Sequence, residues 1–144
     1  MTTHRHQVRI EWSDCDPAGI VYYPRYLAMF DASTMALFRA VLGLTKPQML
    51  KRYGIVGTPM VDTRATFHLP STFGDDVTIE TTVSKFRRSS FDLHHRLLRE
   101  GDQLAVEGFD TRVWVGRHPE DPDRICAREI PADVVARFAS FDAS

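Results

Sequence analysis

Tyr23-Pro24-Arg25-Tyr26-Leu27-Ala28-Met29-Phe30-Asp31-Ala32-Ser33-Thr34-Met35-Ala36-Leu37-Phe38-Arg39-Ala40-Val41-Leu42-Gly43 decides the fold. Tyr23, Tyr26, Leu27, Phe30, Ser33, Thr34, Leu37, Phe38 and Val41 recur at three- and four-residue steps, the period of a helix. Pro24 suits the first helical position, where its missing N–H would have no partner. Gly43 stands where a left-handed C-terminal cap is wanted. About nineteen residues at 1.5 Å each predict a helix of roughly 28 Å. Its apolar stripe is wide, so the helix should pack against a sheet over much of its girth.

On the N-terminal side of this helix, Val8-Arg9-Ile10-Glu11-Trp12 alternates and reads as a first strand, with His4 and His6 in a frayed terminus before it. Residues 13–23 contain Asp-Pro and Ala-Gly and read as a loop. On the C-terminal side a shorter helical piece is expected at 48–53, and from Val56 the period changes to two. Residues 58–67 are strand-like. In the next strand Val77, Ile79, Thr81 and Val83 take one face and Thr78, Glu80, Thr82 and Ser84 the other. Phe91-Asp92-Leu93-His94-His95-Arg96-Leu97 pairs with it across a short turn, and Gly101-Asp102 marks another turn. Residues 105–115 give a further long strand and 124–130 a last short one, after which Pro131 opens a terminal helix. Short turns imply antiparallel neighbours. The expected class is α+β, a curved antiparallel sheet wrapped around one long helix, in a single domain over residues 1–144.

The bulk composition narrows the function. Hydrophobic residues make up 43% and charged residues 26%, ordinary for a globular protein large enough to bury a core. Eighteen Lys and Arg against nineteen Asp and Glu leave a formal charge of -1, so no broad footprint for nucleic acid is present. No stretch approaches the roughly 18 consecutive apolar residues of a membrane span, and the polar N-terminus lacks an apolar leader. A cytoplasmic protein with neither nucleic acid nor membrane as partner is expected. Cys15 and Cys126 form no ligand spacing, and a disulfide between them is left open. His94 and His95 point to opposite faces of a strand and cannot share one metal ion, so no metal site is expected.

The densest run of unusual residues is Trp12-Ser13-Asp14-Cys15-Asp16-Pro17-Ala18-Gly19-Ile20-Val21-Tyr22-Tyr23-Pro24. It delivers two carboxylates and a thiol to the start of the long helix, where unpaired N–H groups carry partial positive charge. Tyr23, Arg25 and Tyr26 have backbone N–H groups to offer; Pro24 has none. A thioester carbonyl lodged there would be polarised, and a nearby Asp could attack it or activate a water that does. From spacing alone, a structural turn is the simpler account. Asp before Pro commonly starts turns, and Asp14 fits a turn or cap. Cys15 has no His beside it and reads as loop filler.

The run from Asp14 to Pro24, continuing to Tyr26 and Asp31-Ala32, closely resembles the 4-hydroxybenzoyl-CoA thioesterases of hotdog fold. The resemblance extends through Gly54-Ile55-Val56-Gly57-Thr58-Pro59, Asp75-Asp76-Val77-Thr78-Ile79-Glu80-Thr81, Arg87-Arg88 with Ser90-Phe91, and Ile130-Pro131-Ala132-Asp133. It covers nearly the whole chain in order. It implies that Asp16 is the catalytic carboxylate, as nucleophile or as general base, and that the Tyr23 N–H is the oxyanion donor. By the same match Asp31 points toward the acyl group, with Tyr26 beside it. Thr58, Pro59 and Met60 line the substrate site from a neighbouring subunit. Arg87, Arg88, Ser89 and Ser90 form a turn near the CoA phosphates, where basic charge and hydroxyls suit phosphate; a solvated hairpin end is the competing account. CoA is part of the substrate, so no cofactor is expected. The family implies a homo-oligomer, a dimer or dimer of dimers.

Two departures bear on specificity. Such enzymes tend to carry a Trp where this chain has Lys46, and a Lys within the basic turn where it has Ser89. Neither touches the chemistry. Both weaken 4-hydroxybenzoyl as the acyl group, so a short-chain aliphatic acyl-CoA thioesterase is the rival enzyme. The rival of another class is a non-catalytic acyl-CoA or acyl-carrier binding protein. Hotdog dehydratases need a His in this region, and none lies in the Asp16 loop or the long helix.

Overall fold

A computed structural model describes residues 2–141. The long helix α1 spans Tyr23–Leu42, with Pro24 in its first turn. It ends at Gly43, whose φ of 69° is left-handed and whose N–H reaches the Arg39 carbonyl. The second helix, α2 (Lys46–Tyr53), starts two residues before the expected position. The cause is a capping box in which Thr45 and Gln48 satisfy each other's backbone N–H groups. A short α3 (Ala132–Ser140) follows Pro131 as expected. Among the described residues no single helix is long and apolar enough to cross a membrane.

Five strands form the main sheet: β1 (Thr3–Arg9), β2 (Met60–Phe67), β3 (Asp76–Phe86), β4 (Ser90–Arg99) and β5 (Gln103–Val113). Their order is β1-β3-β4-β5-β2, and every pair is antiparallel. The expected face of Val77, Ile79, Thr81 and Val83 is the buried one.

Three expectations need correction. The first strand lies at Thr3–Arg9 rather than at 8–12, so His4 and His6 are paired with Thr81 and Ile79 instead of frayed. Trp12 belongs to a 3-10 turn, Trp12–Asp14, which the Glu11–Asp14 capping box closes. The strand expected at 105–115 breaks at Trp114, whose N–H is taken by the Ser89 carbonyl and whose carbonyl is taken by the Arg128 N–H. Beyond that break β6 (Val115–Arg117) and β7 (Ile125–Ala127) form a separate two-stranded ribbon.

The sheet wraps α1, and the core falls into two clusters, one along each half of the helix. Leu37, Phe38, Val41 and Leu42 pack with Phe91, Leu93, Trp114 and the α3 residues Val134 and Phe138. Tyr26, Met29 and Phe30 pack with Val77, Ile79, Leu97 and Val106. Gly108 on β5 faces the Phe30 ring, and a Cβ there would sit 2.7 Å from that ring, so a glycine is needed. The same Phe30 ring stacks on His95 at 4.6 Å between centroids.

A chain of hydrogen bonds crosses this interior from the helix to the sheet edge. Ser33 on α1 meets Thr81 on β3 at 2.7 Å, and Thr81 meets His95 Nδ1 on β4 at 2.9 Å. His95 Nε2 meets Asp110 on β5 at 2.8 Å, and Thr63 on β2 donates to the other Asp110 oxygen at 2.7 Å. Each member comes from the next layer in the sheet order. Burial pushes the Asp110 carboxyl up, but the hydrogen bonds from His95 and Thr63 outweigh it and hold the group below the usual carboxylate range.

Candidate active site

The loop entering α1 is a tight hairpin with its own hydrogen-bond ladder. Cys15 bridges Val21, the Asp16 N–H reaches the Ile20 carbonyl at 2.9 Å, and the Tyr22 N–H reaches the Asp14 carbonyl at 2.8 Å. The Val21 N–H is held by the Ser71 carbonyl, and Thr72 donates to the Gly19 carbonyl, so the segment before β3 clamps the hairpin from outside. Asp14 uses its side chain to accept the Glu11 N–H at 2.8 Å, which makes it a cap. Asp16 accepts the Ala18 N–H on Oδ1 at 2.8 Å, an Asx turn, and Oδ2 keeps its lone pairs free among the described residues. The side chain is half-buried. One oxygen is fixed and the other is available.

Hairpin closure sets Asp16 beside the first turn of α1. Of the three donors named from the sequence, the Arg25 N–H is taken by the Tyr22 carbonyl at 2.8 Å. The Tyr23 N–H meets no acceptor among the described residues, and no side chain caps this helix end. Rings cluster around this helix end: Tyr22 on Tyr23 at 5.4 Å, and Phe67 near both Tyr23 at 6.5 Å and Tyr26 at 5.7 Å; Tyr22, Tyr23 and Phe67 are exposed, whereas Tyr26 is buried in the core. Phe67 ends β2, and its role was not legible in the strand pattern.

The other end of β2 lies deeper along the helix. Arg112, only 5% exposed, donates to Asp31 at 2.6 Å and to the Thr58 carbonyl at 3.2 Å. Asp31 and Thr58, far apart in sequence, thus share one guanidinium, while the Asp31 side chain stays 54% exposed. Pro59 and Met60 are exposed, and the Pro59 carbonyl accepts the Val113 N–H. The strip of α1 from Tyr23 to Asp31 therefore runs beside β2, whose outer edge has no neighbour in the sheet. Sequence reading missed Arg112 although a signal existed. Alternation from Val106 through Gly108 and Asp110 puts Arg112 on the helix-facing side of β5, an unusual place for a charge.

The basic turn divides its residues. Arg87 grips Asp92 through two bonds of 2.9 and 2.6 Å; the hydrogen bond raises the Arg87 pKa and lowers that of Asp92. Arg88 is exposed, and its carbonyl anchors the Ile130 N–H. Ser89 and Ser90 are half-buried, with their carbonyls used by Trp114 and Arg87. Cys15 and Cys126 are both free thiols.

A carboxylate loop opening onto a bare helix N-terminus, with an antiparallel sheet wrapped around that helix, defines a hotdog domain of the thioesterase kind. The chain belongs to the thioesterase-like superfamily, whose family description matches residues 10–138. It is 39% identical over 134 residues to the 4-hydroxybenzoyl-CoA thioesterase of Pseudomonas sp. (strain CBS-3), covering 90% of this chain and 92% of that protein. A crystal structure of a 4-hydroxybenzoyl-CoA thioesterase mutant complexed with 4-hydroxybenzoyl-CoA superposes with a TM-score of 0.85 at 37% identity, over 94% of this chain and 98% of that one. A gentisyl-coenzyme A thioesterase superposes at 0.79 with 27% identity, over 94% and 99% of the two chains.

Proposed function

We propose that this chain hydrolyses acyl-CoA thioesters and prefers aromatic acyl groups. The observation that carries the reading is the unpaired Tyr23 N–H beside a loop that leaves one Asp16 oxygen free. The thioester oxygen sits on that N–H, where the helix dipole and the donor favour the negative charge of the tetrahedral intermediate. Asp16 then acts on the carbonyl carbon directly, or takes a proton from the water that does. By the first route the C–S bond breaks as an anhydride forms on Asp16, and water then hydrolyses that anhydride to the free acid. By the second the water adds to the carbon, and the C–S bond breaks as the tetrahedral intermediate collapses. In both, the thiolate leaves and takes up a proton as CoA thiol.

The exposed rings of Tyr22, Tyr23 and Phe67, backed by the buried Tyr26, support an aromatic acyl group, since flat walls suit a flat ligand. Asp31 faces the ring as a hydrogen-bond acceptor. Thr58, Pro59 and Met60 complete the site of a second copy, which the unpaired β2 edge supports. Arg88, with Ser89 and Ser90 in the same turn, receives the CoA phosphates, and Arg87 holds the turn in shape.

Asp16→Asn keeps the size of the side chain and its turn hydrogen bond while removing the charge. It should lower kcat by about a hundredfold to ten-thousandfold with KM much less changed. CoA-thiol release from benzoyl-, hydroxybenzoyl- and hexanoyl-CoA measures this, and hydroxybenzoyl-CoA should give the highest kcat/KM. Near wild-type turnover in the variant would move the chemistry away from Asp16.

A further inference from the structure

We propose that Thr72 and Asp75 are positioning residues for the reaction, holding Asp16 at its working angle through the exit side of the hairpin. The inference rests on the acyl-CoA reading above and adds to it residues that act through Asp16. Asp16 is held by three hydrogen bonds, and all three end on residues 18–20. Its N–H reaches the Ile20 carbonyl at 2.9 Å, its carbonyl takes the Gly19 N–H at 2.9 Å, and its Oδ1 takes the Ala18 N–H at 2.8 Å. Where residues 18–20 go, the carboxylate goes.

That stretch is anchored from outside by the segment before β3. Thr72 Oγ1 donates to the Gly19 carbonyl at 2.6 Å, Thr72 bridges Ile20 along the backbone, and the Ser71 carbonyl takes the Val21 N–H at 2.9 Å. Thr72 is itself set by a turn. Its N–H donates to Asp75 Oδ2 at 2.9 Å, and the Asp75 N–H returns to the Thr72 carbonyl at 3.1 Å. Gly74 between them takes a left-handed φ of 87°, which favours glycine. The turn is fastened to the entry side as well. Ile10, fully buried, exchanges two backbone bonds of 2.9 Å with Gly74 and Asp75, and Phe73 meets the Trp12 ring edge-on at 5.7 Å. Residues 72–75 therefore brace the two ends of the hairpin against each other, Ile10 and Trp12 on entry, Gly19 and Ile20 on exit.

Stability is a poor account of the Thr72 hydroxyl. Thr72 and Gly19 are exposed, so water can replace either partner, and an exchange of that kind has little effect on folding. Geometry is the better account. Water satisfies the Gly19 carbonyl without fixing where it lies, whereas a braced hydroxyl at 2.6 Å fixes it. The free Oδ2 of Asp16 must meet a carbonyl carbon, or its attacking water, while the thioester oxygen sits on the Tyr23 N–H. Misplacing such groups by about 1 Å lowers the rate by on the order of a hundredfold. The Asx turn at Asp16 passes any movement of residues 18–20 to the carboxylate.

The test measures CoA-thiol release from 4-hydroxybenzoyl-CoA by Thr72→Val, which keeps the branched shape and loses the donor, and by Asp75→Ala. Each should lower kcat by at least about tenfold with KM within about threefold, because the loss falls on the reacting atoms and not on binding. Thr72→Ser keeps the hydroxyl and should restore most of the rate. Thermal melting should find Thr72→Val as stable as wild type. A loss routed through Asp16 must also vanish with it, so in an Asp16→Asn background Thr72→Val should change kcat by less than about twofold. Three results would each overturn the inference and leave the thioesterase reading standing. One is kcat within about twofold of wild type in both variants, another is Thr72→Ser as slow as Thr72→Val, and the third is the full loss repeated in the Asp16→Asn background. Wild-type turnover in Asp16→Asn itself would refute the parent reading, and this inference with it.

Discussion

Neighbouring arginines in one turn have different electrostatic lives. Arg87 is clamped by both oxygens of Asp92, and Asp92 also takes a bond from Thr111, so the pair belongs to the sheet surface. A phosphate competing for Arg87 would have to displace a bidentate carboxylate already in place. Arg88 has no such partner among the described residues, and its side chain is exposed. Sequence alone made the two equivalent, because nothing in Arg87-Arg88 reveals that Asp92 lies across the hairpin. Their substitutions should therefore separate. Arg88→Ala should raise KM for a CoA thioester several-fold more than for a truncated thioester lacking the nucleotide, and added salt should reduce the difference. Arg87→Ala should raise KM less. Steady-state kinetics on both substrate types decides it, and equal effects of Arg88→Ala on the two would make the turn a solvated hairpin end.

At the scale of elements, the long helix and the alternating strands were legible because each buries one face and writes it in the sequence. Val77, Ile79, Thr81 and Val83 needed only counting. The polar layer between helix and sheet was not legible as a unit. Ser33, Thr81, His95, Asp110 and Thr63 come from five different elements, and nothing local says they converge. The turn identity of Asp14 could be read from its spacing. The bond that Asp16 makes to Ala18, and the freedom of Tyr23, are visible only once the hairpin has closed. The buried layer has a measurable weight. Asp110→Ala strands His95 in the core and leaves Thr63 without its acceptor, and it should destabilise by about 3–5 kcal/mol, the usual loss when one partner of a buried pair is removed. The folded pKa of Asp110 is depressed, so its contribution is complete above the unfolded carboxylate value of about 3.9 and is lost as pH falls from there through the lower folded value. Urea denaturation at fixed protein concentration should show the gap between wild type and Asp110→Ala narrowing below about pH 4. A gap that is small at neutral pH would mean the layer relaxes freely.

At the scale of the whole molecule, the two sheet edges differ. The β1 edge is blunted by charge: Arg5 is paired with Glu80, and Arg9 with Asp76. The β2 edge exposes Met60, Val61 and Phe67, and β2 is exposed along nearly its full length. Trp12, Tyr22, Tyr23 and Phe73 extend the apolar surface around the helix N-terminus, with Trp12 75% exposed. An open edge of this kind invites strand pairing, and a second copy brings a self-complementary one. Such a dimer would cover the strip of α1 between Tyr23 and Asp31 and set the Met60 region of one copy against the Asp16 loop of the other. Light scattering at micromolar concentration should therefore find at least a dimer. A sharper consequence follows from shared sites. Asp16→Asn removes the carboxylate from one variant chain, and in a second variant Met60→Arg fills the mouth that its chain presents to its partner. Each variant alone should be nearly inactive. Unfolded together and refolded as a mixture, they form hybrid dimers in which one site carries both lesions and the other carries neither. Activity should return in the mixture in proportion to the hybrid fraction. If each site lay within one chain, every site in the hybrid would keep one lesion and the mixture would stay as inactive as its parents.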